Sequence, residues 1–382
     1  MPLKKVAAGL YANWDSKVKV DDKIVDWTKS VATKPKGAFL TSIAETAYTL
    51  KESFRKGGEE FLISKRIYST LDDMFKHRKR ELGGNGLNMG KTLHELGFKP
   101  LVSYSSRPSR LMLASPRLKV ACGKTVKTPR EAVRSGDQEY DHIVFEFKEN
   151  QKKGILTSGR HILSWDVMSS TGIFDYDFLE YASNPKLIDV LLISYAHLLL
   201  PRYKKKTDEI IERLNRPRRP KVHLELGRGS EESVRYALKM FADYNCSDSW
   251  GMNEDECIMY LGAKSKNVED IIDATTRGIR KYNLDRICVH SPDFVFSVSK
   301  YSFQKELNSL SRGCIVSAAL TLGGISRNLK NARFLLKSKV TPVKRKVGKY
   351  HLCLIPTYIN PKPKTLTGLG DAFCSNPSRY SF

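Results

Sequence analysis

Short apolar runs alternate with helix-like stretches over the second half of the chain. The runs are IDVLLISY (188–195), KVHLEL (221–226), SWGMN (249–253), RICVHS (286–291) and YHLCLIP (350–356). Each has the length of one buried strand, and the order of strands and intervening helices predicts a mostly parallel central sheet flanked by helices. Upstream, residues 30–98 read as helical. They end in GGNGLNMGKTLHELG (83–97), with small or apolar residues at 86, 89, 90, 93 and 96 and Gly97 as a helix stop. Between 100 and 170 the texture changes to PLVSYS, RLMLAS, LKVACG, HIVFEF and ILTSGRHILSW. Alternation bounded by Gly, Ser and Pro predicts antiparallel strands there. The expected organisation is therefore α/β. A large core takes 31–98 and 171–382, and a small β-rich domain takes 1–30 and 99–170, with GLYANWDSKVKV (9–20) pairing into the latter. LIDVLLISYAHLLL (187–200) contains Asp189 and His197 and is too short to span a bilayer.

Charge narrows the partners. Lys and Arg number 65 against 41 Asp and Glu, a net of +24, which calls for an anion: a nucleotide, a phosphorylated metabolite or a nucleic acid. The densest basic stretch, RYKKKTDEIIERLNRPRRPK (202–221), reads as a solvated helix and turn. Seven cysteines are scattered without a C-x-x-C pair or a Cys/His ladder, which predicts reduced thiols, a cytoplasmic location and no zinc site. The opening MPLKKVAAGLYANWD has too short an apolar core for a signal peptide.

Three motifs carry chemistry. In TLTGLGDAFCS (365–375), the glycines let the backbone turn sharply, and a helix opening at Asp371-Ala372-Phe373 would turn its free N–H groups toward a phosphate. An acid at that place suits a general base; the plainer reading is a helix stop followed by an Asp cap. In VHLELGRGSEES, His223 and Glu225 lie two apart, on one face of a strand. In GMNEDECIMYLG, Asn253 and Glu256 lie three apart, on one face of a first helical turn. Strand carboxyl ends line the crevice of an open α/β sheet, so both motifs face the same place, and carboxylates near phosphates commonly organise Mg²⁺ through water. Glu225 as a helix cap and NEDE as a capping sequence are the alternatives.

These motifs, with others, resemble the archaeal ADP-dependent sugar kinases of the ribokinase-like superfamily over most of the chain. TLTGLGDAF looks like the family's anion-hole and catalytic-base motif, GMNEDE like its N-x-x-E motif and VHLELGRGS like its H-x-E motif. REAVRSGDQEYDHIVFEFKEN (130–150) resembles its lid segment, and GRHILSWD (159–166) a stretch carrying an arginine near the nucleotide phosphates. LDRICVHSPDFVFSV (284–298), YANWD (11–15) and LGGNGLNMG (82–90) follow in matching order. The resemblance implies a ribokinase-like three-layer core with a β-rich lid, and phosphoryl transfer from ADP to a hydroxyl of a sugar or sugar phosphate.

By the same resemblance, Asp371 is the base, and the backbone of Gly368, Leu369 and Gly370 cradles the phosphoryl group. Arg160 contacts nucleotide phosphates, while Glu225, Asn253 and Glu256 hold Mg²⁺. Asn13, Asp15, Gly83, Gly84 and Asn85 fix acceptor hydroxyls, and Arg228 meets an acceptor phosphate. Trp14 and Asn85 depart from the usual pattern; Asn85 and the DAF ending leave open an ATP-dependent kinase of a nucleoside or other ribose-containing acceptor, while the net charge of +24 and the 202–221 stretch leave open a basic kinase-like protein that binds or phosphorylates RNA.

Overall fold

Nine strands line up in one sheet. The computed structural model describes residues 4–30, 33–76, 78–139, 141–166, 171–195, 197–200, 202–227, 229–365 and 368–375. Six strands run parallel, in the order Leu101–Val102, Val6–Gly9, Val190–Tyr195, Lys221–Leu226, Ser249–Asn253 and Arg286–His290. Three antiparallel strands, Phe294–Ser299, Tyr350–Pro356 and Val343–Val347, extend the far edge. All five apolar runs of the second half are strands of this sheet. Val190–Tyr195 is buried along its whole length, as a strand covered by helices on both faces must be. Trp250, Phe296, Leu224 and Leu352, all fully buried, belong to the main core on one side of the sheet.

A second, six-stranded sheet has the order Phe39–Leu40, Glu60–Ile63, Gly159–Ser164, Asp141–Phe147, Asn13–Lys19 and Lys79–Gly83. The segment 9–20 does pair with the Asp141–Phe147 strand, in parallel, Asp15 opposite His142. The division of the chain nevertheless differs from the expected one. Three strands of the smaller sheet come from 39–83, which had read as helical core, while Leu101–Val102 pairs with Val6–Gly9 in the large sheet. The chain thus leaves the large sheet twice, once after Val6–Gly9 and once after Leu101–Val102. The missed strands are two to five residues long, and runs so short have no period of their own to set against neighbouring helices.

RLMLAS is also not a strand: Ser109–Leu113 is a helix, entered from Pro108. Leu and Met favour helix over strand, and Leu111 and Met112 are buried by it.

The basic stretch is less solvated than expected. Tyr203–Leu214 is a helix in which Lys206 is 7% exposed and paired with Glu209 at 2.8 Å. Around it, Lys204 meets Glu232, Arg216 meets Glu180, and Arg219 and Lys221 both meet Asp248. Much of its charge is thus engaged within the chain. Among the described residues, no helix is long and apolar enough to cross a membrane.

Candidate active site

The parallel strands all point their carboxyl ends toward the smaller sheet, and a cleft of ≈ 370 Å³ opens between the two. The smaller sheet contributes Asn13, Asp15, Glu60, His142 and Arg160; the core contributes Asn88, Glu256, Gly368 and Asp371. Gly84 and Asn85 line it where the chain crosses back into the core.

Asp371 sits in the first turn of the helix Leu369–Cys374, whose N-cap Gly368 is left-handed at φ 72°. Two neighbours position this short helix. Ser317, on Phe303–Thr321, donates its hydroxyl to the Leu369 carbonyl at 2.9 Å. Asn88, on Asn85–Glu95, donates Nδ2–H to Asp371 Oδ2 at 3.2 Å. Asp371 is 7% exposed. Burial chiefly, with the Glu225 charge adding to it, pushes its pKa up to about 7; the Asn88 bond and the His290 and Arg160 charges act the other way. A carboxyl poised near neutrality at a helix start is suited to accept a proton.

Behind Asp371 lies Glu225, 5% exposed on Lys221–Leu226. Its Oε1 is 2.8 Å from His290 Nε2, and its Oε2 is 3.2 Å from His223 Nε2 and accepts the Cys374 S–H at 3.0 Å. Burial alone would raise its pKa, but the bonds and charges of His223 and His290 outweigh it and hold the carboxyl far below the usual range, so it is an anion. Room for it exists because the neighbouring strand carries Gly251: a Cβ there would stand 1.9 Å from Glu225 Oε2.

Asn253 and Glu256 form a capping box. Asn253 Oδ1 accepts from Glu256 N–H at 2.9 Å, and Glu256 Oε2 accepts from Asn253 N–H at 2.8 Å. The capping reading of NEDE is thus seen in both residues, and Glu256 also lines the cleft.

At the opposite end, Asn13 Nδ2–H donates to Asp15 Oδ1 at 2.8 Å. Burial raises the Asp15 pKa to about 6, against the Asn13 bond and the Arg160 charge. Asn13 is 3% exposed, and its Oδ1 has no hydrogen-bond partner among the described residues. The glycine pair is what lets this corner close. Gly84 has φ 86°, and Cβ atoms at Gly83 and Gly84 would come within 2.4 Å of the Asp15 carboxylate and 2.6 Å of Asn13 Oδ1.

Beside it stands a buried network that sequence reasoning did not single out. Tyr11 Oη–H donates to Asp166 Oδ2, and His142 Nε2 is 2.7 Å from that oxygen and 2.9 Å from Tyr11 Oη. Burial depresses the His142 pKa to about 3, so the imidazole is neutral. Ser164 links His142 Nδ1 to Glu60. Tyr11, Asn88, His142, Asp166 and His290 all lie within quoted motifs but were given no role there; Asn88 and His290 reach Asp371 and Glu225 from distant segments. Arg228 lies outside the described residues.

A mostly parallel sheet whose strand ends open onto an acid at a glycine-turned helix, with a second sheet across the cleft, is the architecture of the ribokinase-like phosphotransferases. The conserved-region model of the ADP-specific phosphofructokinases and glucokinases matches residues 4–377, and the chain belongs to that family. It is 22% identical over 368 residues to an ADP-specific phosphofructokinase of Thermococcus zilligii, covering 81% of this chain and 78% of the relative. To an ADP-dependent glucose/glucosamine kinase of Pyrococcus furiosus it is 25% identical over 285 residues, 63% of this chain and 61% of the relative. An ADP-dependent kinase solved in complex with fructose-6-phosphate and ADPβS has the same fold, with TM-score 0.80, 16% identity, and coverage of 98% of this chain and 92% of that one.

Proposed function

We propose that the chain transfers the terminal phosphoryl group of ADP to a hydroxyl of an unphosphorylated sugar, with Asp371 as the general base. The observation that carries the reading is the state of Asp371: buried at a helix start, facing the cleft, with its pKa raised to about 7. Phosphoryl transfer asks for an oriented nucleophile and for charge neutralisation, not for covalent chemistry by the protein. Asp371 would take the acceptor's proton as its oxygen attacks. The backbone N–H groups from Gly368 to Asp371 would meet the transferring oxygens. Arg160, reaching from the smaller sheet, would pair with the nucleotide phosphates, where a guanidinium offers two parallel donors.

An oxygen-liganded divalent cation fits the same place. Glu225 is held as an anion and the Glu256 carboxylate lines the cleft, so both suit Mg²⁺ held through its waters. When bound, Mg²⁺ supplies charge neutralisation of the phosphates; Glu225 and Glu256 would hold it, with Asn253 only fixing Glu256.

The acceptor follows from the lining. Asp15, Glu59, Glu60, Glu256 and Asp371 face the cleft against one guanidinium, Arg160, among the described residues. Carboxylates repel a second phosphate and accept hydroxyl protons, and the unpaired Asn13 Oδ1 offers another acceptor. A second reading, a phosphorylated hexose, is favoured by the phosphofructokinase relatives. Initial rates with glucose and with fructose 6-phosphate decide: a higher kcat/KM for glucose is expected, and a tenfold preference for fructose 6-phosphate would reverse the assignment. For the preferred acceptor, the rising limb of kcat against pH should have an apparent pKa near that of Asp371.

A further inference from the structure

We infer that His223, Glu225 and Cys374 form a binding site for a thiophilic divalent cation, zinc above all. The scattered cysteines predicted no zinc site, but the fold brings one imidazole nitrogen, one carboxylate oxygen and one sulfur within 4.8 Å of one another, all on buried side chains. They converge on one oxygen: Glu225 Oε2 is 3.2 Å from His223 Nε2 and 3.0 Å from Cys374 Sγ. Tetrahedral zinc, with ligand distances of about 2.0–2.3 Å, sets neighbouring donors roughly 3.3–3.7 Å apart, so the two pairs that share Glu225 Oε2 need only part by a few tenths of an ångström. Glycine on the adjacent strand leaves space for this, because a Cβ at Gly251 would press on both Glu225 and His223.

The outer partner is also in place. His223 Nδ1 meets the Ser249 hydroxyl, which can donate to that nitrogen or accept from it. The hydroxyl therefore supports either tautomer, including the one that presents a bare Nε2 to a metal while Nδ1–H is held. A donor set of one nitrogen, one oxygen and one sulfur selects zinc or cobalt over magnesium, which prefers oxygen. Binding releases the Cys374 thiol proton to solvent and leaves a thiolate on the metal, so affinity should rise with pH. The occupied site would tie Glu225 to the end of the helix that carries Asp371, and so would slow any reaction that uses either carboxylate.

The test reads binding and not turnover, so it stands or falls apart from the kinase reading. The chelator-treated chain is titrated with Co²⁺ and then Zn²⁺, following absorbance and metal content. One Co²⁺ per chain is expected, with a thiolate-to-cobalt charge-transfer band that Zn²⁺ removes. Cys374→Ser should abolish the band and weaken Zn²⁺ by more than about 100-fold, since losing a ligand exceeds the 10–100-fold effect of losing an outer partner. His223→Gln should weaken Zn²⁺ while keeping a charge-transfer band, with melting curves in chelator reporting that each variant is folded. Absence of the band in the wild-type chain, its persistence in Cys374→Ser, or unchanged Zn²⁺ affinity in both variants would overturn the site.

Discussion

Replacing Asp371 by asparagine should make the fold more stable above neutral pH. The Asp371 carboxyl titrates at about 7 in the folded chain against 3.8 in its ordinary state, with burial the main cause. Between roughly pH 4 and pH 7 the folded chain therefore keeps a proton that the unfolded chain has released. Stability falls as pH rises through that window and is lowest above it. At ~1.4 kcal/mol per pH unit, the gap between the two values sets a ceiling of about 4 kcal/mol on the cost at pH 8. Screening hardly reduces it, because the residue is 7% exposed. Asparagine keeps the shape and an oxygen that accepts from Asn88, and it no longer sets a second anion beside Glu225. Urea denaturation of both chains from pH 4 to pH 8 should show the variant ahead at pH 8 by about 1–4 kcal/mol, the gain shrinking to nothing near pH 4. A variant less stable than wild type at pH 8, or a gain that does not vary with pH, would refute the placement of a buried, neutralised carboxyl at this position.

Glu256→Gln should raise the Mg²⁺ concentration needed for half-maximal rate while changing stability by less than about 1 kcal/mol, since the amide can still complete the cap; an unmoved Mg²⁺ titration would leave Glu256 with the capping role alone. Gly251→Ala should cost on the order of 1–3 kcal/mol in urea denaturation, because its Cβ has to displace the Glu225 carboxylate; a neutral effect would mean that Glu225 moves freely. Arg219→Ala should destabilise by about 1–3 kcal/mol, as it removes the guanidinium bonded to Asp248 and to the Asn245 carbonyl, whereas Arg218→Ala should be neutral in the same melts.

The large sheet was legible because each strand is a buried apolar run set off by helices, and position in such a sheet put Glu225, Asn253 and Asp371 at strand or turn ends. The smaller sheet was half legible. Asp141–Phe147 and Gly159–Ser164 carry apolar runs long enough to stand out, but Phe39–Leu40 spans two residues and Lys79–Gly83 reads KRELG, an exposed edge with little apolar signal. The site's partners were the least legible part. Asn88 reaches Asp371 across 283 residues, helix to helix, and His290 reaches Glu225 across 65 from another strand of the sheet, contacts that only the folded chain creates. The Tyr11–His142–Asp166 network depends likewise on the 13–19 strand lying beside the 141–147 strand. NEDE satisfied two readings at once, and only geometry assigned Asn253 to the cap.

The central claim is phosphoryl transfer from ADP under control of Asp371, and phosphorus NMR of one reaction tests it most directly. Wild-type chain with ADP, glucose and Mg²⁺ should yield AMP and a sugar monophosphate in equal amounts. ATP in place of ADP should give little transfer, and Asp371→Asn should be slower by about 10²–10⁴ with ADP still bound. No AMP from ADP with glucose or fructose 6-phosphate, or turnover by Asp371→Asn within tenfold of wild type, would contradict the account.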